Sequence, residues 1–330
     1  KSFTATAQYE TAGNSHLVTY LDWKGELLSE VAVEDGELCD PPSVPERIDY
    51  VFDGWTKDGE PFDLETPVTE DLILVTAYHL LPVMETATAE EFLRRIQAVY
   101  PTGAVVRLTA DIDLENASFV APDFHGVLDG DGHSITGIRN DGRLFDNLYG
   151  TVRNLTFDSI GTDTAVRGNR SILCSSASGA RIENCVFMDC QIHSHETTGG
   201  AGLVALTAKA NGDVRTVISN VVAVNCQVVS GDSYNNMTFG GLVKSSGTVD
   251  YIDCRFLTDE SDTYVIGGAA INAGAIAGEV TGNSRFFGCY NQGGVEARNS
   301  GANSTGAGGI VGGITGHAEF YFCTNVAAIT

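Results

Sequence analysis

Basic residues are scarce in this 330-residue chain, where 19 Lys and Arg stand against 43 Asp and Glu, a formal net charge of -24. Polyanions reward clustered cations, so the shortage argues against DNA, RNA or anionic lipid as the main partner. Long apolar runs are missing too. The longest small and apolar stretch, Val265 to Gly278, is broken by Gly and Asn and is shorter than the roughly 20 apolar residues of a membrane helix. No membrane insertion is expected. No basic start leads into an apolar segment, and NVAAIT at the end carries no retention or lipidation pattern, so the chain reads as part of a longer polypeptide. Also absent are a Gly-x-Ser-x-Gly elbow, a phosphate loop and a dinucleotide fingerprint.

What is present belongs to a folded protein: 43% hydrophobic and 19% charged residues are far from the composition of a disordered chain. At roughly 150 residues per domain the length predicts about two domains. Composition changes near residue 86. Up to Thr86 there are six of the eight Pro, both Trp and only five Gly; the remaining 244 residues hold 33 Gly but only Pro101 and Pro122. The first part also carries 18 acids against four bases. Two architectures are therefore expected, with domains over 1–84 and 85–330.

In the first part, His16 to Tyr20, Glu30 to Val33, Tyr50 to Trp55 and Leu72 to Tyr78 are β-branched and aromatic runs. They are separated by Lys24-Gly25, Asp35-Gly36, Pro41-Pro42 and Asp58-Gly59, which predicts a small β-rich module. The residues from Val18 to Leu28 (VTYLDWKGELL), Tyr50 to Trp55 (YVFDGW) and Pro67 to Ala77 resemble the Listeria–Bacteroides repeat, or internalin B-repeat, over about residues 15 to 82. That resemblance implies a β-grasp-like module from a tandem array on a bacterial surface protein. Phe3 to Tyr9 then reads as the last strand of a preceding repeat or an extra strand of this one.

Between the parts, Thr88-Ala89-Glu90-Glu91 has the form of a capping box, with the Thr88 hydroxyl accepting from the Glu91 amide and the Glu91 side chain reaching back to the Thr88 amide. Phe92, Ile96, Val99 and Tyr100 follow at helical spacing until Pro101-Thr102-Gly103. The pattern predicts one amphipathic helix over about 89–100, capping the open end of a solenoid.

The second part repeats. Leu155, Cys185, Val221, Cys254, Cys289 and Cys323 occupy equivalent positions separated by 30, 36, 33, 35 and 34 residues. Each unit holds a GGLV-like strand, an alternating strand with the Cys, and a third apolar pair such as Gln191-Ile192, Gln227-Val228 or Gly294-Val295. Three strands per unit with Gly corners and almost no Pro predict a right-handed parallel β-helix, its first coils supplied by Ala104 to Leu114 and Phe124 to Ile138. The fold class is thus all-β, mostly: a β-grasp-like module, a capping helix and a β-helix. The series from Phe92 through Val106 to Leu114, Phe124 to Ile135 and Leu144-Phe145, followed by GGLV-type units, resembles the GLUG-motif β-helices of bacterial surface proteins. It is also similar to the noncatalytic N-terminal region of IgA-cleaving zinc metallopeptidases. Those peptidases need His-Glu-x-x-His, which this sequence lacks.

The eight cysteines allow disulfides, metal ligation or stacked apolar packing. The shared inward position of Cys185, Cys254, Cys289 and Cys323, the matching of Cys190 with Cys226, and that of Cys174 with Val204 and Val243 favour packing as reduced thiols. Such thiols on a secreted protein fit an anaerobic bacterium, and a Gram-positive one is expected. Asp129-Gly130-Asp131-Gly132 looks like a calcium loop but lacks a bidentate Glu, and reads as a solenoid corner. His193-Ser194-His195-Glu196 presents two imidazoles with no third ligand, and reads as an exposed loop. Asn154-Leu-Thr, Asn236-Met-Thr and Asn303-Ser-Thr are glycosylation sequons that in a bacterium read as Asn-rich turns.

No residue is assigned as catalytic, cofactor-binding or metal-ligating, and no cofactor is expected. The expectation is a monomeric, noncatalytic extracellular module on a bacterial cell surface, a spacer with an adhesive β-helix for host glycoprotein, glycan or matrix. The binding loops would be His193 to Gly199, Gly231 to Thr238 and Arg298 to Thr305, where unit length varies. Two alternatives are a carbohydrate-active β-helix enzyme, which needs paired carboxylates or calcium with a basic residue, and an accessory region of a surface metallopeptidase.

Overall fold

The computed structural model describes residues 14–45, 47, 50–98, 104–138, 142–161, 170–194, 199–230, 237–258, 264–266, 270–297 and 306–329. The chain divides into two compact units, Lys1–Leu81 and Pro82–Thr330.

Unit 1 has strands β1 (Ser15–Leu21), β2 (Leu27–Glu34), β3 (Tyr50–Lys57), β4 (Glu60–Phe62) and β5 (Leu72–Leu80). They form one sheet in the order β2-β1-β5-β3-β4, with β1 and β5 parallel at its centre. The strand order is β-grasp-like, with no helix among the described residues of this unit. The turn residues act as their chemistry requires. Asp58 and Gly59 both have positive φ, 53° and 86°, which gives the β3–β4 hairpin a twist matching its strands. The Asp22 carboxylate accepts from the Lys24 and Glu26 amides at 2.8 Å, closing the β1–β2 turn. Val18, Tyr20, Trp55, Val68, Leu72 and Leu74 make a separate core, in which the Tyr20 and Trp55 rings meet edge to face at 4.9 Å. The stretch Phe3 to Tyr9 lies outside the described residues.

Unit 2 opens with a strand absent from the sequence reading, β6 (Val83–Thr86), which pairs in parallel with Val105–Leu108. Residues 82–84 therefore belong with the solenoid. Helix α1 spans Ala89–Gln97, and Val99 and Tyr100 lie outside the described residues. The Thr88 hydroxyl accepts from the Glu91 amide at 3.3 Å, as expected of a cap. The return bond differs: Glu91 accepts from Ala87, one residue before the cap, at 3.4 Å. Buried Phe92 and Ile96 join a cluster with Val106, Leu108, Ile112 and Leu114, so the helix closes the first coils with the apolar face that the spacing defined.

The coils stack into parallel sheets of nine, eight, six and four strands, with two further pairs. Their register gives unbroken interior columns. In the nine-stranded sheet, Met84, Val106, Leu128, Val152, Ile182, Ile218, Tyr251, Phe286 and Phe320 lie one above another. In the eight-stranded sheet the column is Ile112, Ile135, Phe157, Phe187, Ala223, Phe256, Asn291 and Asn325. Rings stack at the strand spacing, Phe157 on Phe187 at 4.8 Å and Tyr251 on Phe286 at 4.6 Å. Asn291 is fully buried, donating to the Gly293 carbonyl at 2.9 Å and to Asn325 at 2.7 Å, so its amide is satisfied in the apolar interior.

Three strands per unit proves too few. The expected Cys-bearing strand is bent into two by a residue in the left-handed region: Asn154, Asn184, Asn220 and Asp253 have φ between 48° and 53°. Asn tolerates this region because its short amide hydrogen-bonds locally. Here the amides also bond between coils, Asn220 to Asn184 at 2.9 Å, Asn184 to Asn154 at 3.2 Å and Asn154 to Asp129 at 3.0 Å. Asn154 of the first sequon is thus a rung of a corner ladder, while Asn236 and Asn303 lie outside the described residues. The GGLV motif is likewise a corner, between Met237–Gly240 and Val243–Ser246. Cys174 pairs with Ala205, and Ala205 with Val243, which moves Val204 one residue out of the column assigned to it.

Candidate functional site

All eight cysteines are free. Cys185, Cys254 and Cys289 are fully buried just after the left-handed corner residues Asn184, Asp253 and Gly288, and Cys323 in the last described coil is half-buried. Cys190 and Cys226 are buried side by side before the paired residues Gln191 and Gln227. Burial deprives these sulfurs of the solvation a thiolate needs, and it pushes the Cys185 thiol up to about 12. Thiol labelling of the native protein should therefore modify Cys323 first, with Cys185, Cys254 and Cys289 reacting only on unfolding; mass mapping of a timed labelling series checks the order.

The outer face of the nine-stranded sheet carries the charged chemistry. One outward column runs Glu85, Arg107, Asp129, Arg153, Glu183, alternating in sign at every step. Asp129 is 4% exposed. Its Oδ2 meets Arg153 at 3.0 Å and Arg107 at 3.5 Å, while Oδ1 accepts from Asn154 Nδ2 at 3.0 Å and the Asp131 amide at 3.1 Å. The calcium-like Asp129–Gly132 stretch is accordingly a corner whose carboxylate is fully engaged. Further along, Asp250 Oδ1 accepts from Arg215 Nε and Arg285 Nε at 2.8 Å each. Arg215 also donates to the Val249 carbonyl at 3.2 Å and the Asn283 carbonyl at 2.8 Å, tying three coils together.

These contacts hold both carboxyls below the ordinary carboxylate range. For Asp129, burial pushes upward but is outweighed by Asn154, Arg153 and the Asp131 amide. For Asp250, burial is outweighed by Arg285 and Arg215. A depressed folded-state pKa contributes stability that is complete above the unfolded value, near 4, and is lost as pH falls through the folded value. The melting temperature of unit 2 should be level between about pH 5 and 8 and fall below about pH 4. Asp250→Ala, which strands two guanidinium groups of which Arg285 is 39% exposed, should cost about 2–3 kcal/mol by denaturant titration at pH 7 and flatten the acid limb.

Of the residues weighed as ligands, His193 and Ser194 end a strand, with His193 level with Val229, and 195–196 lie outside the described residues. No group of three or more His, Cys, Asp or Glu converges among the described residues. Most of the three loops proposed for binding also falls outside them, and Gly199 and Met237–Thr238 are strand residues. The Asp250 clamp escaped the sequence reading although its signal was there: Asp250 and Arg285 hold the same offset before Cys254 and Cys289.

No family model and no curated protein sequence matches the chain. Among solved structures, it is similar to a Bacteroides ovatus chain described as a candidate immunoglobulin A1 protease, at 17% identity and a TM-score of 0.54 over 76% of this chain and 77% of that one. The likeness is one of fold. A chain described as an IgA1 protease is similar at 14% identity and a TM-score of 0.47, over 76% of this chain and 22% of that one.

Proposed function

We propose that the chain is a noncatalytic, extracellular spacer and recognition region of a bacterial surface protein, serving as an accessory region to a peptidase. The observation that supports it best is the condition of two buried carboxylates on the outer face of the solenoid, Asp129 and Asp250. Asp129 and Asp250 are each clamped by two arginines and held ionised, which suits neither a general acid nor a base that must exchange protons near neutrality. The likeness of fold to a candidate immunoglobulin A1 protease chain adds to it. On this reading unit 1 is a B-repeat-type spacer and unit 2 a GLUG-type β-helix, displayed by a Gram-positive anaerobe, that holds a host glycoprotein near a catalytic domain elsewhere. The test is to incubate the 330-residue protein with immunoglobulin A1 and with a panel of polysaccharides, following both cleavage and retention on immobilised protein. Retention of the glycoprotein without turnover is expected. Turnover abolished by Asp129→Asn or Asp250→Asn would replace this reading with an enzymatic one.

A further inference from the structure

Unit 1 gathers aromatic rings round its single arginine. Up to Thr86 four bases stand against 18 acids, and Arg47 is the one arginine among them. Its guanidinium carbon lies 3.4 Å from the Tyr50 ring centroid, 5.0 Å from Trp23 and 5.6 Å from Tyr78. All three are within the roughly 6 Å over which a cation is drawn to a ring face. Lys24 Nζ adds a second cation, 5.3 Å from the Trp23 centroid. The rings come from separate elements. Trp23 is set by the β1–β2 turn that Asp22 closes, Tyr50 opens β3, and Tyr78 lies on β5 beside Phe52. The Trp23 and Tyr78 rings meet at 79° with centroids 5.5 Å apart, and the Tyr78 hydroxyl donates to the Pro45 carbonyl at 2.7 Å. Trp23, Arg47, Tyr50 and Tyr78 are all half-buried, so solvent reaches the cluster. In so acidic a unit a carboxylate partner is the ordinary expectation, yet among the described residues no carboxylate or carbonyl accepts from this guanidinium.

We propose that Trp23, Tyr50 and Tyr78 form an aromatic cage for a quaternary ammonium of the choline class, filled by Arg47 until that ligand displaces it. What the rings offer decides the ligand. They present negative π faces and leave the guanidinium N–H groups with no acceptor but water. A guanidinium has five such donors, whereas a trimethylammonium has none to satisfy and spreads its charge over methyl groups that pack on rings. The surrounding excess of acid favours any cation and disfavours a ligand that carries phosphate. Arg47 acts as a tethered competitor. The Tyr50 amide donates to the Arg47 carbonyl at 3.1 Å, and this turn keeps the guanidinium beside the Tyr50 ring. The apparent affinity for choline is therefore reduced by the fraction of molecules whose cage is already filled. The site belongs to unit 1, which the reading above leaves as a spacer, and it does not depend on the role of the solenoid.

The test is calorimetric titration of the 330-residue protein, at an ionic strength of about 0.15 M that screens distant charges, with choline chloride, with phosphocholine and with dimethylbutanol, the uncharged carbon isostere of choline. Expected are one choline per chain, weaker binding of phosphocholine and no binding of the isostere. Arg47→Ala, which empties the cage, should bind choline about tenfold more tightly than the parent protein. Lys57→Ala removes the same charge from the same unit and should change the affinity by less than about twofold. Adding Trp23→Ala to Arg47→Ala should weaken binding at least about tenfold; where dichroism shows that double variant unfolded, Tyr50→Ala takes the place of Trp23→Ala. Equal affinity in the parent protein and Arg47→Ala overturns the proposal. So does a folded Arg47→Ala that binds no choline, equal binding of the uncharged isostere, or a folded double variant that binds as well as Arg47→Ala.

Discussion

Replacing Phe187 with alanine is expected to destabilise the solenoid by about 3–5 kcal/mol, among the largest effects a single truncation has in a protein core. Phe187 is fully buried and stacks on Phe157 at 4.8 Å. The coil on its other side already contributes only Ala223 at the same level. Truncation would place two alanines in succession, and backbones tied on both sides by ladder hydrogen bonds cannot close over the gap. For a unit of this length the loss corresponds to about 10 °C in melting temperature, readable by calorimetry. Phe320→Ala provides the contrast. It removes the same ring from a column of the nine-stranded sheet, but Phe320 is 44% exposed, so about 1 kcal/mol is expected. Equal losses at the two positions would refute the packing described for the columns.

Gly241→Val is expected to prevent a stable solenoid, at a cost of at least about 3 kcal/mol. A Cβ at Gly241 would lie 2.0 Å from the Ala275 carbonyl oxygen and 2.8 Å from Phe256 Cδ2. The carbonyl belongs to the next coil's backbone, so relief requires opening the ladder between coils. Gly161→Ala is the control, because a Cβ there meets nothing within 4 Å, and a change within about 0.5 kcal/mol is expected. Chemical denaturation of the three proteins, followed by dichroism, separates close approach from a general intolerance of side chains at glycine positions.

The glycines and the polar corners divide what could be read early from what could not. A motif such as Gly240-Gly241-Leu242-Val243 is visible as a repeat, but whether its glycines lie within a strand or at a bend depends on the backbone packed against them. That backbone belongs to a coil more than thirty residues away. In the same way, the alternation from Arg181 to Phe187 looks like one strand. A single left-handed residue, Asn184 with φ 52°, sends its halves into different sheets while leaving the hydrophobic pattern continuous. Val83–Thr86 was missed because four alternating residues before a helix carry too weak a period to mark a strand without their partner, Val105–Leu108.

By itself, the sequence determined the class of architecture: the change of composition near residue 86, the capped helix after Thr88, and a parallel solenoid whose interior position recurs from Leu155 to Cys323. These are local or periodic properties, and a repeat states its own stacking because each unit needs the next to cover its apolar edge. Only the tertiary structure decided which charges meet. Asp129 with Arg107 and Arg153, and Asp250 with Arg215 and Arg285, are joined across coils through register, and a shift of one residue would turn each of them to the opposite face. The same holds for the sulfurs: their recurrence is written in the sequence, but the stacking of Cys254, Cys289 and Cys323 on successive coils is set by the register of the strands that follow them.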